Sequence, residues 1–158
     1  MTGTRQTGRS RLGHRSLNTA SIEQYVQLRE LIASGGTRTA IAIIRAGLPA
    51  PLLVSLAEHF KISRREAFRL VGIKPATAER KIRNRDHLSA DVSERLVRIA
   101  DIERIAIEVL GSVEAAHRWL ETPAVAFGGE RPIEMTDTGY GATEVLRLLN
   151  GIRYGAVA

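Results

Sequence analysis

Large apolar residues are scarce over the first twenty positions, where only Leu12 and Leu17 interrupt a run of Gly, Ser, Thr and Arg without an acidic residue. That composition predicts a disordered basic tail over residues 1–20, and it lacks the apolar core of a secretory signal. From Ser21 the pattern changes. Ser21 and Gln24 have capping-box spacing, and Ile22, Tyr25, Leu28, Leu31 and Ile32 then recur at helical intervals until Gly35-Gly36, which is expected to stop the run. The short stretch Ala40–Ala46, with Ile41, Ile43 and Ile44, fits a helix or a strand equally, and Gly47-Leu48-Pro49 breaks it.

Beyond Pro49 every periodic segment is helical. Leu52, Leu53, Leu56 and Phe60 mark one helix. Ser63, with Glu66 three residues later, caps a second from Arg64 to Val71, and Gly72 turns the chain into a third that starts at Pro75 and reaches about Asn84. Ser89 and Asp91 open a longer helix whose stripe is Val92, Leu96, Ile99, Ala106 and Val109/Leu110, closed by Gly111. Ser112 caps a short helix ending before Pro123. A loop through Phe127-Gly128-Gly129 and Pro132 follows, and a final helix from about Gly141 to Ile152 buries Val145, Leu148 and Leu149. The fold class is therefore all-α, divided as a tail (1–20), a helical region (21–110) and a C-terminal helical unit (111–158).

Residues 63–84 have the two short helices and tight glycine connection of a helix-turn-helix. Ala67, Leu70, Val71, Ile73, Ala78 and Ile82 can face inward together. Thr77, Arg80, Lys81 and Asn84 then share the outer face of the second helix, and Arg64, Lys74, Arg83 and Arg85 flank it. This suits a recognition helix, whose polar residues reach base edges while cations neutralise phosphates. Glu79, on the same helix, would oppose phosphate.

Charge sharpens this picture. The net charge of the 158 residues is +6, but residues 1–45 carry seven basic and two acidic groups, residues 46–100 eleven and six, and residues 101–158 five and nine. The first two parts are each +5 and the last is −4, so a polyanion would be met by the front of the chain and not by its end. The absence of cysteine excludes a disulfide scaffold, a thiolate metal site and a thiol nucleophile, and aromatic residues at 4% argue against a base-stacking platform. No apolar run is long enough to span a membrane.

No catalytic constellation emerges. The four histidines, His14, His59, His87 and His117, are scattered. Glu114 and His117 supply one Glu-x-x-His pair, half of what a di-iron bundle uses, so no metal site and no cofactor are expected and both residues are assigned to a helix surface. Trp119, spaced with Ala116 and Leu120, is assigned to the core.

The chain resembles the Xre/ParS/MbcA-type antitoxins of RES-domain toxin–antitoxin pairs. The resemblance runs from about Ile44 to Tyr154 through Arg45-Ala46-Gly47-Leu48-Pro49, Val71-Gly72-Ile73 with Thr77 and Arg80, Leu88-Ser89 with Ser93-Glu94-Arg95-Leu96, Trp119-Leu120 with Pro123, Gly128-Gly129 with Pro132, Gly139 with Val145 and Leu149, and Ile152-Arg153-Tyr154-Gly155. It implies an Xre-like helix-turn-helix bundle that binds the operon's own promoter, followed by a small helical toxin-binding domain. The partner it implies is a RES-domain toxin, an NAD-consuming, ADP-ribosyltransferase-like enzyme whose pocket the antitoxin's C-terminal end blocks. Carried to this chain, the toxin-binding residues are Asn150, Arg153, Tyr154 and Gly155, with Arg131, Thr136 and Gly139 in the preceding segment. A homodimer, operator DNA and a cytoplasmic location complete the expectation. The other reading left by the residues is a stand-alone regulator whose C-terminal part only oligomerises. The chain departs from the family pattern where Phe68 replaces a small residue and Ala78 a leucine-like one, which suggests that volume has moved across the helix contact.

Overall fold

The structure, a computed structural model, describes the backbone of residues 10–155 and the side chains of residues 21–155. Seven α-helices follow one another: α1 (Ser10–Ala46), α2 (Leu52–Phe60), α3 (Arg64–Leu70), α4 (Pro75–Asn84), α5 (Ala90–Leu110), α6 (Val113–Glu121) and α7 (Gly139–Arg153). Two 3₁₀ turns, Val125–Phe127 and Glu134–Asp137, lie between α6 and α7. Among the described residues there is no β-strand, only an isolated bridge between Pro49 and His87.

The N-terminal helix differs from the sequence expectation in three ways. It already runs from Ser10, through half of the segment expected to be a disordered tail, while residues 1–9 lie outside the described residues. Ser21 is therefore internal rather than a cap, and its hydroxyl bonds the Ser55 hydroxyl of α2 at 3.2 Å. Gly35-Gly36 bends the helix instead of ending it. Gly36 takes φ 64° and ψ −165°, a conformation open to glycine, and the chain resumes as helix to Ala46, which resolves the ambiguous isoleucine stretch.

Four boundaries have visible causes: Ser63, Ser112 and Gly111 are those the sequence predicts, and Thr138 caps α7, which starts two residues before the expected Gly141. Ser63, Ser112 and Thr138 each accept a hydrogen bond from a backbone N–H in the first turn of the following helix, at 3.0–3.1 Å. Gly111 ends α5 in the left-handed region at φ 88°. The capping box at α3 is only half made, because the Glu66 carboxylate turns to Arg131.

The core is one continuous cluster. Tyr25, Leu28 and Ile32 of α1, Leu53, Leu56 and Phe60 of α2, and Leu96, Ile99 and Ile102 of α5 form its N-terminal part. Leu120 of α6, Ile133, and Val145 and Leu149 of α7 belong to the same cluster, and α6, α7 and the turn before α7 all pack on α5. Each fully buried aliphatic or aromatic side chain contributes about 1.5–3 kcal/mol. The long α5 is thus the shared wall between the helix-turn-helix side and the C-terminal side. Trp119 packs half-buried on this core, as its spacing predicts.

Candidate functional site

The helix-turn-helix forms from α3 and α4. Ala67, Phe68, Leu70, Val71 and Ala78 are buried between them and the body, with Ile73 and Ile82 packed alongside. Gly72 makes the turn at φ 68°, and a side chain there would collide with the Arg95 guanidinium. Lys74 and Pro75 start α4 without a side-chain cap.

The basic candidates divide by what they touch. Lys74, Arg80, Arg83 and Arg85 are exposed. Arg64 is bonded to Glu79 at 2.9 Å, so the acid that would have faced phosphate is partly neutralised at the cost of one cation. Lys81 is half-buried and donates to the His87 carbonyl at 2.8 Å, and Thr77 is also half-buried. The surface open to a phosphate backbone is therefore centred on Arg80, Arg83 and Asn84, with Lys74 and Arg85 at the two ends of α4. Beside it, between α3 and α4, lies a groove of about 760 Å³ lined by Arg65, Arg69 and Lys74 among others.

The C-terminal candidates also separate. Arg131 lies between Glu66 of α3 (2.7 Å) and Glu134 (3.1 Å), and Arg69 of α3 bonds Glu134 at 2.9 Å. Hydrogen bonds from Arg131 and then Arg69 hold the Glu134 carboxyl at about 2, and the same pairing pushes the Arg131 guanidinium further up. Thr136 is buried, its hydroxyl donates to the Ile133 carbonyl at 2.6 Å, and its own carbonyl accepts from Arg98. Arg131 and Thr136 thus fasten the loop before α7 to the body. Gly139 is exposed at the start of α7, next to Tyr140, which is 92% exposed. Asn150, Arg153, Tyr154 and Gly155 cluster at the other end, about 20 Å away along the helix. All four are exposed, and Arg153 reaches Glu108 of α5 at 3.2 Å.

One arrangement was missed in the sequence. Glu103, on α5, is fully buried. Its Oε1 atom is met by His59 Nε2 of α2 at 2.6 Å, His117 Nε2 of α6 at 2.7 Å and Arg29 of α1 at 3.0 Å. His117 is therefore not the simple helix-surface residue that its spacing with Glu114 suggested. Burial alone would raise the Glu103 carboxyl. Hydrogen bonds from the two imidazoles and the Arg29 charge outweigh it and hold the group at about 2. The Tyr25 phenol is pushed up by burial and by the neighbouring Glu103 charge. Neither the Tyr25 hydroxyl nor Glu103 Oε2 completes a well-formed hydrogen bond. The signal available in the sequence was a carboxylate on the apolar stripe of α5, four residues after Ile99 and three before Ala106.

Comparison with known proteins assigns the two halves. Residues 39–101 match the antitoxin Xre-like helix-turn-helix domain, and residues 106–155 match the antitoxin Xre/MbcA/ParS C-terminal toxin-binding domain. An antitoxin Xre of Pseudomonas putida is 33% identical over 112 residues, which cover 71% of this chain and 69% of the relative. The chain belongs to the Xre antitoxin family. An antitoxin Xre of Photorhabdus laumondii is 26% identical over 118 residues (74% of this chain, 80% of the relative). A protein of a Sphingobium species named Prs ADP-ribosylating antitoxin is 29% identical over 127 residues (75% and 80%).

As an Xre-type antitoxin the chain has a toxin and DNA as partners, and no helix among the described residues is long and apolar enough to cross a membrane. The two domains of this antitoxin are joined by specific contacts. Arg131 of the toxin-binding domain pairs with Glu66 of the helix-turn-helix domain. Glu103 falls between the two matched segments and bonds a histidine from each. Tyr25 and Arg29 come from the part of α1 that precedes both.

Proposed function

We propose that this antitoxin neutralises a RES-domain toxin by placing its C-terminal end over the toxin's NAD pocket, and that it represses its own operon through α4. The observation that carries the first part is the Arg153-Tyr154-Gly155 end. It lies at the limit of the toxin-binding segment, and Tyr154 is 79% exposed at the tip of a helix that is otherwise anchored by Val145 and Leu149. An exposed tyrosine beside an arginine is the kind of pair that dominates interface energetics. The Sphingobium relative, whose name joins antitoxin function to ADP-ribosylation, supports a toxin of that chemistry.

For DNA, the reading rests on the free cations of α4. Arg80 and Arg83 meet phosphate or base edges, Lys74 and Arg85 bracket the helix, and Thr77 and Lys81 lie at its inner margin. A cytoplasmic homodimer would present two such helices to half-sites about one DNA turn apart. Co-expression with a neighbouring RES-type gene tests the first claim. The full chain should protect cells and abolish NAD consumption by the purified toxin, whereas a chain lacking residues 150–158 should still fold but not protect. If the truncated chain protects fully, the C-terminal end does not block the pocket. If the full chain fails to bind the RES-type product, the toxin belongs to another class.

A further inference from the structure

The cluster around Glu103 is not used by either binding surface. Two imidazole Nε2 atoms and one carboxylate oxygen converge from three helices, and the three atoms all lie within 4.8 Å of one another. Three donors crowd Glu103 Oε1, and the Tyr25 hydroxyl faces the same buried carboxylate in a poorly formed hydrogen bond.

The rings are also held in place. His59 lies against Tyr25 with centroids 4.6 Å apart, and His117 stacks on Phe60 at 4.5 Å. Beside them an open cavity of about 660 Å³ is lined by His59 and His117, with Glu114 and Glu121 as well as Lys61 and Arg118 at its walls. It gives an ion a path from solvent to both imidazoles and leaves room for water as a further ligand.

We propose that His59, His117 and Glu103 form a site for one borderline divalent transition metal, Zn²⁺ foremost. Two neutral imidazoles and a carboxylate are a nitrogen-rich set that zinc accepts and that Mg²⁺ and Ca²⁺, which prefer all-oxygen shells, do not. Ligand distances of about 2.0–2.2 Å put neighbouring donor atoms roughly 3 Å or more apart, so on binding both imidazoles back away from Oε1, which they now meet at 2.6 and 2.7 Å. The imidazoles present their Nε2 lone pairs in place of the N–H groups that now face Oε1. The ion repels Arg29 from Oε1, and the other oxygen of the carboxylate takes the guanidinium or the Tyr25 hydroxyl. Either contact would orient the ligand from behind, as the outer partners of metal-bound carboxylates do. Since the ligands come from α2, α5 and α6, the ion would tie the helix-turn-helix domain to the toxin-binding domain.

The test uses the untagged full-length chain, freed of metal by a chelator. Titration with Zn²⁺ by calorimetry and with Co²⁺ by visible absorption is expected to show one ion per chain, with Co²⁺ bands of a nitrogen–oxygen site. His117→Gln and Glu103→Gln should abolish this binding, Tyr25→Phe should weaken it about tenfold, and His87→Gln should leave it unchanged. His117 is partly exposed, so His117→Gln is the deciding variant if Glu103→Gln fails to fold. Absence of saturable binding to the folded wild type overturns the proposal and leaves a purely hydrogen-bonded hub. Equal binding by His117→Gln, or binding lost in His87→Gln, overturns it by placing the ion elsewhere.

Discussion

Phe68 offers a sharp test of how the helix-turn-helix is packed. Its side chain is 2% exposed, and Ala78 on the facing helix is fully buried in the same core. If the large residue on α3 fills the space that a leucine-like residue on α4 is expected to fill, Phe68→Ala leaves a cavity. Its cost should then be about 3–5 kcal/mol. For a chain of this size that corresponds to a fall in melting temperature of roughly 6–20 °C. Ala78→Leu alone overfills the contact and should cost about 1–3 kcal/mol. The two changes together should cost at least ~1 kcal/mol less than the sum of the single costs, because each relieves the strain that the other creates. Urea unfolding followed by circular dichroism measures all four corners of the cycle, with an unchanged denaturant slope as the check on two-state behaviour. A Phe68→Ala cost below about 3 kcal/mol would refute the claim that Phe68 fills the contact, and strict additivity would refute the exchange of volume with Ala78.

Three further outcomes follow from the same contacts. Glu134 is held at about 2 in the folded chain against an ordinary 4.5, so its stabilising contribution is complete above pH 4.5 and is lost as pH falls towards 2. Discounted for the exposed Arg69 partner, this is about 1–2 kcal/mol, and it should be absent from the acid unfolding profile of Glu134→Gln. An unaltered profile would show that the loop is not held by these pairs. In promoter-binding titrations Arg80→Ala should weaken affinity more than Lys81→Ala, since the Lys81 ammonium is engaged with the His87 carbonyl, and wild-type affinity should fall steeply with salt; salt-independent binding would remove α4 cations from the interface. Tyr154→Ala should leave thermal stability within about 1 kcal/mol of wild type, because the ring is exposed, yet weaken toxin capture at least tenfold in a pull-down or calorimetric assay.

The helix-turn-helix was readable because its signals are local. Ser63, Gly72 and Pro75 set the ends of α3 and α4 through their own backbone chemistry, and the inward set Ala67, Leu70, Val71 and Ala78 follows from periodicity alone. The division of the basic residues was not readable. Arg64 and Lys81 look the same in the sequence as Arg80, and only the approach of Glu79 and of the His87 carbonyl distinguishes them. Arg131 is a similar case. Its place in the family-like segment points to a partner protein, and its guanidinium also binds Glu66, 65 residues earlier, which no local pattern shows.

By itself the sequence determined that this chain is helical, where most of its helices begin and end, and which family it resembles, since capping residues, glycine turns and apolar periodicity act over a few residues. The tertiary structure decided what distant charges do. It carried α1 through Gly36 and packed its earlier part against α2 and α5. It also brought His59, Glu103 and His117, spread over 59 positions, to within 4.8 Å. The physical reason is that a buried charge is stable only among partners, and those partners are chosen by helix packing rather than by spacing along the chain.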